Sequence, residues 1–102
     1  MLTADAGSDL LNPASWKKSP KALLTARPEA QTYAPGHCSF FKSPDGTEDW
    51  ILFHANSEPG QGCGRYRSPR AQRISWKADG TPDFGQPLPL AAPIRRPSGE
   101  AK

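Results

Sequence analysis

General acid–base chemistry needs two carboxyls held in register across a reacting bond. The acids of this chain, among them Asp45, Glu48, Asp49, Asp79 and Asp83, instead stand in or beside turn sequences. Short acidic side chains there bond to nearby backbone N–H groups, so turn chemistry accounts for them and no catalytic residue is assigned. Two histidines, His37 and His54, sit in apolar surroundings; His54 is read as packing against a neighbouring sheet. Cys38 and Cys63 either form one disulfide or stand as two buried thiols, since neither C-x-x-C nor Cys/His zinc spacing is present. The remaining chemistry-bearing group is the run of arginines at 65, 67, 70 and 73, a source of positive charge whose ordinary role is a solvated surface.

The elements that must position these groups are short strands. Two apolar runs, His37–Phe41 and Trp50–Ala55, flank Ser43-Pro44-Asp45-Gly46, which carries Pro and Gly where a tight turn wants them. The second run is apolar on both faces. Trp50, Leu52 and His54 point one way, and Ile51, Phe53 and Ala55 the other. Such a strand must be covered on both sides. Arg70–Trp76 alternates as a third strand, with Gln72, Ile74 and Trp76 on one face, and Trp50 and Trp76 are both expected in the core. Lys77-Ala78-Asp79-Gly80 turns the chain into a short fourth strand, Thr81–Gln86. Upstream, Met1–Ala4 reads as the end of a strand, Asn12-Pro13 opens a single helical turn, and Lys21–Ala26 is a short edge segment closed by Arg27-Pro28.

Four antiparallel strands in sequence order, apolar on both sides, are what a β-propeller blade shows, because each blade is sandwiched between its neighbours. The parts follow as residues 1–33, the end of a preceding blade and a linker; 34–90, a complete blade; and 91–102, a flexible tail that frays past Pro93. Composition agrees. The 102 residues allow one domain, and twelve Pro and nine Gly argue against long helices. Three Trp, four Phe and two Tyr make the chain too aromatic for a disordered linker. No apolar stretch approaches the roughly 20 residues of a membrane span. Met1–Asp5 lacks the basic start and apolar core of a signal peptide.

Gly36-His37-Cys38-Ser39-Phe40, Ser43–Trp50, Phe53-His54-Ala55, Arg70-Ala71-Gln72 and Trp76–Gly85 together closely resemble the last blade of family 43 glycoside hydrolases. Met1–Ala4 with Leu10–Trp16 resembles the end of the blade before it, and the likeness runs in register from Met1 to about Pro89. The resemblance implies an all-β fold: the last four-stranded blade of a five-bladed β-propeller plus the end of the preceding blade. It implies a parent enzyme that removes arabinofuranosyl or xylosyl units from plant polysaccharides with inversion, and that works outside the cell. Inverting enzymes hold two carboxyls about 6.5–9.5 Å apart to admit a water; the family carries these in earlier blades, and their motifs do not occur here.

Three site assignments come from the resemblance alone. His37 corresponds to a histidine beside the central channel that contacts a calcium ion or its water shell in many members. Because calcium prefers oxygen ligands, a water-bridged role is the physically easier one. Arg70, and after it Arg67, correspond to an arginine whose planar donors fork onto sugar hydroxyls. Cys38 stands where Asn is commoner. Calcium is thus the implied cofactor and an arabinose- or xylose-containing glycan the implied partner. Two other classes remain to be separated from this one. A small non-catalytic carbohydrate-binding module would need Trp50 and Trp76 coplanar and facing solvent. A nucleic-acid binder built on Arg65-Tyr66-Arg67-Ser68-Pro69-Arg70 would need exposed aromatics among the arginines, whereas the aromatics sit mainly in two-sided strands. Neither nucleic acid nor membrane is expected as a partner.

Overall fold

The computed structural model describes residues 1–101. Among them, an antiparallel pair of two-residue strands, β1 (Leu2–Thr3) and β2 (Lys17–Lys18), precedes a four-stranded antiparallel sheet. That sheet runs in order β3 (Tyr33–Lys42), β4 (Asp49–Asn56), β5 (Ser68–Trp76) and β6 (Pro82–Asp83). The up-and-down order agrees with the sequence reading. The hairpin turn also forms where Pro44 and Gly46 place it, closed by Gly46 N–H donating to the Ser43 carbonyl at 2.8 Å. Asn12 caps a 3-10 turn over Pro13–Ser15, its side chain accepting from the Ala14 N–H.

Register sorts the side chains onto two faces. Phe40, Ile51 and Gln72 stand side by side on one, Phe41, Trp50 and Arg73 on the other. The first face holds the core: Ile51, Phe53, Ala55 and Ile74 are buried, with Leu24 and Phe84 packed against them. Burying an Ile or Phe there contributes about 1.5–3 kcal/mol. A cleft of about 670 Å³ remains between this face and the N-terminal segment, walled by Met1, Leu23, Leu24, Phe40, Ile51 and Phe84. The second face is half open. Trp50 is buried under the stacked ring of Phe41, but Leu52 is 40% exposed.

Several sequence expectations change. Lys21–Ala26 forms no strand; the segment runs as bends, with Leu24 turned onto the core. The fourth strand shortens from Thr81–Gln86 to Pro82–Asp83 because the buried amide of Gln72 captures the next stretch. It donates to the carbonyls of Phe84 and Gln86 and accepts from the Leu88 N–H. Trp76, expected in the core, is 57% exposed, since it stands at the end of β5, beyond the last residue of β4 that could cover it. Cys38 and Cys63 are neither bridged nor buried; both are exposed free thiols. Past Pro93 the tail returns to the hairpin turn, where the Ser98 N–H donates to Glu48 at 3.0 Å and its hydroxyl donates to Asp45. Gly99 makes this approach possible, because a Cβ there would lie 2.9 Å from Asp45.

Candidate functional site

The chemistry-bearing side chains collect at the end of the sheet opposite the Ser43–Gly46 turn. There β3 is irregular. Its pairing with β4 slips between Tyr33 and Gly36 and again between Gly36 and Ser39, so two residues are inserted over a short stretch. Each insertion carries a non-glycine residue in the left-handed region, Ala34 at φ 45° and His37 at φ 49°. Bulges of this kind re-aim side chains, and backbone strain of this kind collects at functional sites. The second bulge turns His37 onto the face of His54, where the two rings stack with centroids 6.0 Å apart.

Arg67 completes a row of three. Its Nη1 lies 3.2 Å from His54 Nε2. A guanidinium has no acceptor, so His54 accepts and its proton sits on Nδ1. That Nδ1 is buried with no partner among the described residues, as are Asn56 Oδ1 and Arg70 Nε. Sequence reading gave His54 a packing role; the structure makes it the link between His37 and Arg67. Gly36 inside an apolar strand was the available signal, since such a glycine marks a bulge or a close approach.

Arg70 is differently placed from Arg67. It reaches from β5 to the residues before β3, donating to Thr32 Oγ1 at 3.0 Å and to the Gln31 carbonyl at 2.8 Å, with Ser57 Oγ at 3.3 Å. Burial lowers its pKa from the ordinary guanidinium value. Most of its donors therefore hold the chain together, while Arg67 is exposed beside the histidines. The sequence-assigned residues His37 and Arg67 are brought together; Arg70 lies behind them as a strut.

A calcium ion makes definite demands on its ligands. The ion takes about six to eight oxygen ligands, whereas the groups here are two imidazoles and a guanidinium. Among the described residues no three His, Cys, Asp or Glu side chains converge on a point that could hold a metal. Among the described residues, side chains alone thus do not supply a calcium ion's ligand set.

Four of the acids are held in their ionised form by nearby donors. Asp45 accepts from Ser98, Ser43 and Thr47, which together hold its carboxyl far below the ordinary range. Glu48 is lowered first by the Ser98 N–H and then by the Trp50 indole and Arg73; Asp49 by Lys42 and the Trp76 indole; Asp79 by Thr81. A general acid must hold its proton near neutral pH, so its pKa is raised. All four are shifted the other way.

Residues 2–82 match the model of glycosyl hydrolases family 43. The chain belongs to that family. It is 39% identical over 95 residues to alpha-L-arabinofuranosidase B of Pyricularia oryzae, an alignment spanning 87% of this chain and 19% of that protein. It is also 39% identical over 92 residues to the extracellular exo-alpha-(1->5)-L-arabinofuranosidase of Streptomyces avermitilis, covering 86% of this chain and 19% of the relative. The crystal structure of the alpha-L-arabinofuranosidase from Lactobacillus brevis superposes with a TM-score of 0.81 at 31% identity, over 90% of this chain and 30% of that one. This family 43 chain thus spans about a fifth of the length of the curated relatives it matches. Among the described residues no helix is long and apolar enough to cross a membrane.

Proposed function

We propose that this chain is the C-terminal part of an extracellular α-L-arabinofuranosidase of family 43: the last blade of a five-bladed propeller with the outer strands of the blade before it. The observation that carries the reading is the family match over residues 2–82 in a chain that aligns to only 19% of its curated relatives. The apolar cleft beside Ile51 and Phe40 is then the space for inner strands of the preceding blade, and the half-open face at Leu52 and Phe41 receives the next one. The substrate is an arabinose-containing plant glycan.

In this reading the catalytic carboxyls belong to other blades, and this chain shapes one wall of the sugar site. Arg67 presents its free donors to sugar hydroxyls, steadied by His54, while Arg70 braces the loop behind it. A calcium ion near His37 would draw its oxygens from other blades, with His37 meeting it through water. The binding-module reading loses its main support, since Trp50 is buried and no coplanar exposed pair with Trp76 exists.

The test uses an aryl α-L-arabinofuranoside. The 102-residue protein alone releases no arabinose, while its fusion behind the preceding blades of a family member restores release. In the fusion, Arg67→Ala raises KM with a smaller change in kcat. Hydrolysis by the isolated chain, or a folded but inactive fusion, overturns the proposal.

A further inference from the structure

Residues 57–67 join β4 to β5 at the end of the sheet that carries His37, His54 and Arg67. We propose that Tyr66, the residue before Arg67 in this loop, is a distal sugar-binding subsite on the rim of the Arg67 site, the contact that favours a chain of arabinose units over a single one. The substrate class rests on the arabinofuranosidase reading above; the subsite rests on three observations.

The first is the loop. It runs well past the roughly two to five residues usual in a hairpin, and other residues hold it in place. The Asn56 amide donates to the Gly62 carbonyl at 2.7 Å, the Glu58 N–H to Gln61 Oε1 at 3.2 Å, and the Arg67 N–H to the Gly64 carbonyl at 3.4 Å. Tyr66 has no part in these bonds. A surface loop fixed to a rigid sheet is where binding residues concentrate. This one lies past the ends of both strands, off the two faces against which neighbouring blades pack.

The second is the ring. Tyr66 is 51% exposed yet oriented. Arg65 Nη2 donates to its hydroxyl at 3.0 Å, and the centre of that guanidinium stands over the ring, 5.1 Å from its centroid. A guanidinium takes one face of a ring and leaves the other. A ring already held in this way loses little rotamer freedom when a ligand stacks on it.

The third is the surroundings. A guanidinium has five donors, of which Arg65 spends one on the tyrosine hydroxyl and Arg67 one on His54. Donors therefore flank an apolar ring face. A sugar presents the matching pair, a C–H face for the ring and hydroxyls for the donors. Consecutive Cα atoms are about 3.8 Å apart, so a glycan held at Arg67 and longer than one unit comes within reach of the ring.

The test uses the fusion with the preceding blades and compares arabinotriose with methyl α-L-arabinofuranoside, which offers one sugar and no aromatic leaving group. Tyr66→Ala should lower the ratio of the two kcat/KM values about tenfold, the loss expected of one stacked ring. Tyr66→Phe keeps the ring and should retain most of the ratio. An unchanged ratio in Tyr66→Ala, whether both rates fall together or neither falls, overturns the proposal. Calorimetric titration with arabinotriose separates the subsite from the hydrolase reading. Binding by a folded but inactive fusion, weakened about tenfold by Tyr66→Ala, supports the subsite and removes the arabinofuranosidase reading. An active fusion with an unmoved ratio leaves that reading and removes the subsite. An inactive fusion that binds no arabinotriose removes both.

Discussion

The two ends of the four-stranded sheet are built on opposite principles. At the turn end every acid is occupied: Asp45 accepts from Ser43, Thr47 and Ser98, and Glu48 from Trp50 and Ser98 while pairing with Arg73. At the far end the backbone is bulged and left-handed at Ala34 and His37, and three buried polar atoms on His54, Asn56 and Arg70 have no partner among the described residues. An unsatisfied buried polar atom costs about 1–3 kcal/mol. The turn end is thus a finished structural unit, whereas the far end leaves polar capacity for something outside this chain. Function is expected where satisfaction is incomplete.

The largest test of that contrast is Arg70→Ala. It removes the donors that hold Thr32, Gln31 and Ser57 together at the already under-satisfied end, and should cost about 3 kcal/mol. Urea unfolding checks it; a loss no larger than that of a surface substitution would make Arg70 a ligand-directed group rather than a strut.

Acid should act on the other end. Asp45 and Glu48 have pKa values lowered in the folded chain, so their contribution is complete above the unfolded carboxylate range. It is lost as pH falls from about 4.5 through their folded values. Hydrogen exchange at the Ser98 amide should quicken on acidification before the amides of Ile51 and Phe53 do. Simultaneous quickening would make the tail part of one cooperative unit with the core.

Gly99→Ala puts a Cβ against Asp45 at a residue with φ 79°, and should loosen the tail by about 1–2 kcal/mol. Ser98→Ala, which keeps the backbone contact to Glu48 but not the hydroxyl contact to Asp45, should cost about 1 kcal/mol. Both are read by exchange at the Ser98 and Gly99 amides and should leave the far end unmoved. The smallest effect is a gain. Ala34→Gly relieves a left-handed backbone and should stabilise by about 0.5–1 kcal/mol, visible as a small rise in urea midpoint. No gain would mean that the bulge is held without strain.

Much of the sheet was legible because its signals are local. The alternation of Trp50–Ala55, the Pro-Gly turn and the Asn12-Pro13 cap depend on residues adjacent in sequence, and each formed where expected. What was misread depends on distant partners. Trp76 has the pattern of a core residue, but burial requires a strand opposite it, and β4 begins at Asp49, paired with Ile74. Lys21–Ala26 has strand composition without a neighbouring edge to pair with.

The amino-acid order alone determined the number, order and two-sidedness of the four strands of the main sheet, together with the family likeness. These follow from side-chain period and turn chemistry, which act over a few residues. Only the tertiary structure decided that His54 links His37 to Arg67, that Arg70 is committed to the loop before β3, and that Ser98 returns to the hairpin turn. Those contacts join residues 13 to 53 positions apart. The histidine pair depends further on bulges that shift register by one residue, and so on which face a side chain finally takes.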